Sequence, residues 1–320
     1  MSRLLMRCML AVLTAGLVVT EGVAADWPTK PIIIIVPFAP GGAPDNLLRL
    51  ISKPLARELG QAVVIENRAG AGGVLGSAQV ARANADGYTL LVGGLAPQVI
   101  APVINPNSGY DPLRDFAHIA YLGGPPICWV VTPSSDIFTV NDVLDQARTG
   151  KLSGYASSGV GTLGHLVTEF VLRKTGVTLA HIPYNTAALG DIIAGHVKLG
   201  SYTWSAVLGQ VQGSTLRPIA VTTDNRLPGF PKLPTFKELG YDLVASTWFS
   251  LSGPAGLPTE ITQKLNRAVT TVLQISEIRE RLEQDAIEPR PMTSAELTDF
   301  VGREIARWRP IALSAGMKRQ

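Results

Sequence analysis

Residues 31–45 read Pro31-Ile32-Ile33-Ile34-Ile35-Val36-Pro37-Phe38-Ala39-Pro40-Gly41-Gly42-Ala43-Pro44-Asp45, an apolar run followed by a glycine-rich turn. Four isoleucines and a valine without a polar break predict a strand buried on both faces, as in a parallel sheet covered by helices. Pro37 ends this strand, and Gly41 and Gly42 permit a tight turn with unusual backbone dihedrals. The stretch therefore predicts an α/β fold.

A helix is predicted directly after the turn. Pro44 suits the first helical position, Asp45 suits the positive end of the helix dipole, and Gly60 is a typical terminator. Apolar residues recur at helical spacing: Leu47, Leu48, Ile51, Leu55 and Leu59. A strand that delivers a glycine turn into a helix N-terminus presents unpaired N–H groups, which favour an anion site. A plain strand–turn–helix connection remains the alternative.

The same pattern continues along the chain. Further strands are predicted at 62–66, 88–93, 152–156, 179–184, 197–202 and 217–222. Helices are predicted at 74–83, 140–147, after Thr162, from Pro258, at 276–283 and from the capping box Thr293-Ser294-Ala295-Glu296. This alternation favours parallel α/β sheets. Because the strand–turn–helix unit occurs near Val36 and again near Ala156, we expect two similar domains, with chain crossings near 116–131 and 247–254.

The N-terminus has the features of a secretory signal. Arg3 and Arg7 precede an apolar run, and Val23-Ala24-Ala25 offers a small-residue cleavage site, so a signal peptide is predicted at residues 1–25 with Asp26 first in the mature chain. Its removal takes away two arginines and one glutamate, which lowers the net charge from +3 to +2. That mild charge favours neither nucleic acid nor a membrane surface as partner. The mature chain keeps one cysteine, Cys128, so an exported chain without disulfides is expected in the bacterial periplasm.

A second glycine-rich turn, Gly159-Val160-Gly161-Thr162-Leu163-Gly164, matches the dinucleotide pattern G-x-G-x-x-G. No acidic residue ends the following strand to hold a ribose, so a nicotinamide cofactor is disfavoured and a general anion-binding turn is favoured. Ser157, Ser158 and His165 permit a serine-hydrolase hypothesis, but the G-x-S-x-G elbow is lacking. His165 also fits a packing or capping role. The sequence contains neither an H-E-x-x-H motif nor closely paired cysteines, so no metal site is predicted.

Aromatic residues lie at or just beyond several predicted strand ends: Phe38, Tyr184, Tyr202 and Trp204. Ligands of open α/β sheets bind at those ends. Each aromatic residue could equally belong to the core, and together they favour a pocket wall.

Several stretches together resemble one family, the Bug-type solute receptors of tripartite tricarboxylate transporters. They are WPTKPI at 27–32, VPFAPGG at 36–42, VIENRAGAGG at 64–73, ADGYTLL at 85–91, YDPLRDF at 110–116, HIPY at 181–184 and PKLPT at 231–235. The resemblance implies a periplasmic-binding-protein-like fold with two α/β domains, two crossing strands and a ligand cleft. The expected domains are residues 26–127 with 248–320, and residues 128–247.

The resemblance also implies the binding loops, at 38–45, 157–162, 94–97, Tyr184 and 202–204. The predicted ligand-binding residues are Phe38, Ala39, Gly42, Ala43, Asp45, Gly94, Ala96, Ser157, Ser158, Gly161, Thr162, His165, Tyr184, Thr203 and Trp204. The chain departs from the family in three places. Ala43-Pro44 replaces a common Ser-Thr, the loop after Tyr184 is about two residues short, and Tyr202-Thr203 replaces Asp-Asn. The last change disfavours recognition of a substrate ammonium.

The resulting hypothesis is a monomeric periplasmic receptor that captures a small mono- or dicarboxylate, aromatic acids included. It would pass this ligand to the membrane permease subunits of a tripartite tricarboxylate transporter, without catalysis, cofactor, metal or nucleic acid. One alternative is an exported hydrolase that uses Ser157 or Ser158. Another is a ligand sensor that feeds a signalling partner.

Overall fold

The computed structural model of the protein describes residues 27–184 and 189–314. The predicted signal peptide and part of the shortened loop after Tyr184 lie outside these residues. The strands are β1 (Ile32–Val36), β2 (Val63–Asn67), β3 (Thr89–Gly94), β4 (Phe116–Gly123), β5 (Ile127–Val131), β6 (Gly154–Ser157), β7 (Ala180–Pro183), β8 (Leu199–Thr203), β9 (Arg217–Val221) and β10 (Phe249–Pro254).

Ten α-helices are described. They are α1 (Ala43–Leu59), α2 (Val74–Ala81), α3 (Ala101–Ile104), α4 (Val140–Arg148), α5 (Leu163–Thr175), α6 (Leu189–Ile193), α7 (Trp204–Gln212), α8 (Thr259–Leu273), α9 (Ser276–Gln284) and α10 (Ser294–Ser314). A 3₁₀ turn at Ala71–Gly73 precedes α2, and a π-helical turn at Ala96–Ile100 precedes α3.

Two five-stranded sheets form two α/β domains. The strand orders are β2-β1-β3-β10-β4 and β7-β6-β8-β5-β9. Both sheets are mixed, which corrects the expectation of parallel sheets: β10 runs antiparallel to β3 and β4, and β5 runs antiparallel to β8 and β9. The two orders correspond position by position, which confirms the predicted pair of similar domains.

The antiparallel strands follow from the two chain crossings. The parallel strands of each sheet end at the cleft, and β4 and β9 leave their sheets there. A chain that arrives from the other domain must enter at that same edge, so β5 and β10 run away from the cleft. Alternation of strands and helices does not give the direction of these two strands: β5 is followed by α4 and then by β6 of the same sheet, yet β6 is parallel to β8 and therefore antiparallel to β5.

The first strand and helix are buried as their sequences predict. Ile34, Ile35 and Val36 are at most 1% exposed, and the apolar stripe of α1 lies against the sheet. Gly60 ends α1 with a φ of +72°. Thr293 and Glu296 form the predicted capping box at α10: the Thr293 N–H donates to Glu296 Oε2 at 2.8 Å and the Glu296 N–H to Thr293 Oγ1 at 3.2 Å.

The C-terminal helix α10 contacts both halves of the molecule, packing on β4 and α3 and also on α5. Glu304 of this helix accepts the indole N–H groups of Trp248 and Trp308 at 2.9 and 3.0 Å. Trp248 directly precedes β10, so α10 is attached to one of the two chain crossings.

The sequence predictions missed α7 and the helical segment after β3. Helix α7 has no side-chain cap, and only Trp204 and Val207 of its nine residues are buried. Such a helix is stabilised by its tertiary position rather than by a strong periodic pattern. No described helix has both the length and the apolar character that a membrane span requires.

Candidate functional site

A cavity of about 1670 Å³ lies between the two sheets, at the ends of their parallel strands. Its walls come from the loop after β1 and from α1, from the π-helical turn and α3, and from the loops after β6 and β8. Helix α9 and the segment after it close one side. The cavity therefore occupies the place where open α/β sheets bind ligands.

The first wall is the loop that joins β1 to α1. Gly41 has a φ of +81°, which L-residues with side chains rarely adopt, so the turn requires glycine. Gly42 is the N-cap of α1 and no side chain caps the helix. Gly42 and Ala43 line the cavity and their N–H groups have no intrahelical acceptor, whereas Pro44 has no N–H to offer.

Asp45 holds this loop from behind. Its carboxylate accepts the Gly41 N–H at 2.8 Å, Arg49 Nε at 2.8 Å and Asn67 Nδ2 at 3.0 Å, and the side chain is 1% exposed. Burial opposes ionisation, but the hydrogen bonds from Arg49, Gly41 and Asn67 outweigh it and lower the pKa of Asp45 below its usual value. Asp45 thus supports the loop and is not part of the cavity wall.

The second wall is the turn between β6 and α5. Thr162 is the N-cap of α5, and its hydroxyl donates to the Gly159 carbonyl at 2.8 Å instead of capping the helix. The N-terminus of α5 consequently keeps its N–H groups available for a ligand. The third glycine of the pattern, Gly164, has a packing role: a Cβ there would lie 2.2 Å from the Ser201 carbonyl oxygen.

Two histidines lie beside this second turn. The rings of His165 and His181 are stacked with centroids 3.7 Å apart, and His165 Nδ1 accepts the Gly161 N–H at 3.2 Å. His165 therefore carries its proton on Nε2. Burial and the neighbouring His181 lower the pKa of His165 to about 3, and burial lowers that of His181 to about 4, so both rings are neutral at physiological pH.

Glu169 follows His165 by one helical turn on the cavity face of α5. Its Oε1 accepts the Tyr155 hydroxyl at 2.9 Å, and Arg173 Nε lies 3.9 Å from its Oε2. Burial and the Glu169 carboxylate raise the pKa of Tyr155. The prediction that a substrate ammonium is disfavoured rested on the lack of an acidic residue at 202–203. Glu169 of α5 nevertheless places an acidic side chain on the cavity wall.

Ser157 and His181 form the contact that a hydrolase would need, with Ser157 Oγ 2.8 Å from His181 Nε2. The Ser157 side chain is nevertheless fully buried, and its hydroxyl is bracketed by the carbonyl and the N–H of Gly159, each at 3.2 Å. Ser158 lines the cavity. No carboxylate among the described residues contacts His181, so the pair lacks the group that orients a catalytic histidine.

The third wall is the N-terminus of α7, where Thr203 is the N-cap and forms no capping bond through its side chain. Ser205 and Ala206 line the cavity beside it. Trp204 points away: it is 1% exposed, packs against Phe230 and donates its backbone N–H to the Pro126 carbonyl at 2.8 Å. It therefore belongs to the core next to a chain crossing.

The structure brings most of the predicted residues to one cavity. Those on its wall are Phe38, Ala39, Gly42, Ala43, Ala96, Ser158, Gly161, Thr162, His165 and Thr203. Besides Asp45, Ser157 and Trp204, two others lie off the wall. The Gly94 N–H is taken by Gln98 Oε1 at 3.0 Å, and the Tyr184 hydroxyl donates to Asp191 at 2.8 Å. Each of the five is held by an internal contact.

Several wall residues escaped the sequence predictions: Asn46, Arg49, Glu169, His181, Ser205 and Arg281. Arg49 and Glu169 stand one helical turn after Asp45 and His165, so helical spacing could have identified them. Arg281 comes from α9, far along the chain. Only the tertiary structure places it at the cavity.

Comparisons with known proteins agree with this architecture. The family model described as "Tripartite tricarboxylate transporter family receptor" matches residues 47–317. BugT of Bordetella pertussis is 34% identical over 325 residues, covering 99% of each chain. An R. palustris protein solved with adipate superposes with a TM-score of 0.83 at 34% identity, covering 91% of this chain and 99% of that one.

A further solved structure, MatC from Rhodopseudomonas palustris with bound malate, superposes with a TM-score of 0.80 at 28% identity. It covers 89% of this chain and all of its own. The match over most of the chain, the shared two-domain fold and the cavity between the sheets lead to one assignment: the chain belongs to the tripartite tricarboxylate transporter receptor family of solute-binding proteins.

Proposed function

We propose that the protein captures a small organic carboxylate in its cleft in the periplasm and passes it to a membrane permease of the tripartite tricarboxylate type. One observation carries the ligand class: the N-termini of α1 and α5, from opposite domains, reach one cavity, and neither is capped by a side chain. Helix N-termini bind anions through free N–H groups and the helix dipole. The solved neighbours with adipate and malate support the same class.

The interactions available are strong enough for a receptor. A hydrogen bond to a charged group contributes about 1.5–3 kcal/mol, and a helix dipole up to about 2 kcal/mol when partly buried. Micromolar affinity corresponds to about 8 kcal/mol. A handful of N–H donors from the two helices therefore suffices, even after the cost of association.

Calorimetry with matched acids and esters tests the anion site. Adipate, malate, hexanoate and benzoate are titrated into the protein, each beside its methyl ester. We expect at least one acid to bind and its ester to bind far more weakly, because the ester lacks the charge that the N–H groups recognise. Equal affinity for acid and ester, or the binding of no acid together with the absence of any co-purified acid in native mass spectrometry, contradicts the proposal.

The hydrolase alternative retains one favourable observation, the contact between Ser157 and His181. Turnover of nitrophenyl esters that is lost in Ser157→Ala would favour it. Stoichiometric binding without turnover favours the receptor, as does the burial of the Ser157 side chain.

Export and delivery are tested separately. The intact mass of protein taken from the periplasm should correspond to a chain that begins near Asp26. Uptake of the identified acid should be lost when either the receptor gene or the permease genes are deleted. Retention of residues 1–25 would contradict export. Unchanged uptake would contradict delivery to the permease and would favour a partner that signals instead of transporting.

A further inference from the structure

We infer that the ligand carries a single carboxylate on an apolar body, and that the cavity discriminates against a second carboxylate. This inference rests on the proposed function and specifies its substrate class. It follows from three independent features of the cavity: the pairing of its cations, the difference between its helix N-termini and the apolar character of one wall.

The cavity offers no cation that lacks an acidic partner among the described residues. Arg49 is paired with Asp45 at 2.8 Å, and Arg281 is paired with Asp285 at 3.4 Å. Glu169 adds a carboxylate to the wall, and its nearest cation, Arg173, lies 3.9 Å away and outside the lining. His165 accepts an N–H at Nδ1 and is uncharged. A second ligand carboxylate would therefore meet no free positive charge and one negative one.

The helix N-termini of the two domains are not equivalent. The first turn of α1 already holds the buried Asp45 carboxylate, which takes the Gly41 N–H, and Pro44 removes another N–H from the same turn. The first turn of α5 contains no acidic residue. The dipole of α1 is thus partly neutralised from within, so the α5 turn, beside Ser158 and Thr162, is the stronger side of the anion site, and the Gly42 and Ala43 N–H groups of α1 add donors to the same carboxylate.

Apolar side chains of the first domain also line the cavity. Phe38, Leu47, Leu50, Ile100 and Ile104 line the cavity from the loop after β1, from α1 and from α3. A methyl group or an aromatic ring gains from contact with this surface. A carboxylate packed against these five side chains loses its hydration and gains no hydrogen-bond donor from them in return. The body of the ligand is therefore apolar at the end opposite its carboxylate.

Matched pairs of acids test the inference directly. Hexanoate and adipate have the same chain length and differ only in one terminal group, methyl or carboxylate, and benzoate and terephthalate form the corresponding aromatic pair. We expect the monoacid of at least one pair to bind about tenfold or more tightly than its diacid in calorimetry at neutral pH. If the diacids bind as tightly as the monoacids, or more tightly, the inference is wrong while the carboxylate receptor stands. If no acid binds, the proposed function fails and this inference fails with it.

A charge variant separates electrostatic exclusion from shape. Glu169→Gln removes the negative charge of the wall and keeps a carbonyl acceptor for the Tyr155 hydroxyl. We expect the affinity for adipate to rise about threefold or more relative to that for hexanoate. Glu277→Gln on the exposed face of α9 makes the same charge change away from the cavity and should leave the ratio unchanged. A ratio that is identical in all three proteins would overturn the charge argument.

Discussion

Asp45 determines the conformation of the first binding loop. Its buried carboxylate joins Gly41, Arg49 and Asn67 through three hydrogen bonds. Asp45→Asn keeps one carbonyl oxygen but loses the charge and leaves Arg49 without its ionic partner. We expect the free energy of unfolding to fall by about 1–3 kcal/mol, measured by urea denaturation at neutral pH.

The matched control is Asp145→Asn. Asp145 also pairs with an arginine, Arg148 at 2.9 Å, but its side chain is 72% exposed, so a change within about 0.5 kcal/mol is expected. Because the pKa of Asp45 is lower in the folded protein than in the unfolded chain, its ionised carboxylate adds to the free energy of unfolding. Its contribution is present above the pKa of the unfolded chain and is lost as the pH falls through the folded value. Equal effects of the two substitutions would show that the buried network has no special role.

The stacked histidines predict a loss of stability in mild acid. The folded-state pKa values of about 3 for His165 and about 4 for His181 lie below the ordinary value, so the unfolded chain binds more protons as the pH falls. Stability should therefore decline from about pH 6.5 downward, by about 1–2 kcal/mol per histidine at about pH 5. His118, whose pKa burial also lowers to about 4, adds a similar contribution.

His165→Asn isolates one part of this effect, since the asparagine oxygen can still accept the Gly161 N–H. We expect the variant to lose less stability than the wild type between about pH 7 and pH 5 in thermal unfolding. His196→Asn alters a histidine that is 73% exposed and should leave the slope unchanged. Parallel slopes in all three proteins would contradict the role assigned to burial.

At the scale of elements, the close approach of α5 to β8 positions the second binding turn. The Ser201 hydroxyl donates to the Gly164 carbonyl at 2.9 Å, and a Cβ at Gly164 would lie 2.2 Å from the Ser201 carbonyl oxygen. We expect Gly164→Ala to destabilise the protein by about 2 kcal/mol or more, because backbone must move, and to weaken ligand binding as the turn shifts. Urea denaturation and calorimetry measure the two effects.

Gly209→Ala is the control at this scale. Gly209 also lies inside a helix, α7, but a Cβ there meets nothing within 4 Å. Alanine is the better helix former, so this substitution should stabilise the protein by about 0.5–1 kcal/mol. If Gly164→Ala were equally stabilising, the helix–strand contact would not be tight.

At the scale of the whole molecule, we expect the ligand to draw the two domains together. The cavity has walls from both sheets, and the β4–β5 and β9–β10 connections join them. A ligand that touches both walls stabilises the closed arrangement by its differential affinity. Small-angle scattering should give a smaller radius of gyration at saturation with the acid that binds most tightly in calorimetry. Its methyl ester should leave the radius unchanged, and an unchanged profile with bound acid would exclude closure.

The local sequence determined the elements that carry their own signals. The apolar run at β1, the glycines of the two turns and the capping box of α10 act over a few neighbouring residues, so strand, turn and helix positions agree with the structure within about two residues. The repetition of this unit determined the pair of α/β domains. Of the ten predicted ligand-binding residues on the cavity wall, eight stand in or directly after these two turns, and Ala96 and Thr203 lie just after β3 and at the end of β8.

The tertiary structure alone decided the rest, since the forces involved act between residues that are distant in the chain. The direction of β5 and β10 depends on the edge at which a crossing chain enters each sheet. Helix α7 depends on contacts with β5 and β8 rather than on a cap of its own. Asp45 and Trp204 lie off the cavity wall because they form hydrogen bonds to Asn67 and Pro126. Arg281 lies on the cavity wall because the C-terminal helices return to it. Local propensity contains none of these pairings, because burial and hydrogen-bond satisfaction are settled only when the two sheets and the helices around them pack together.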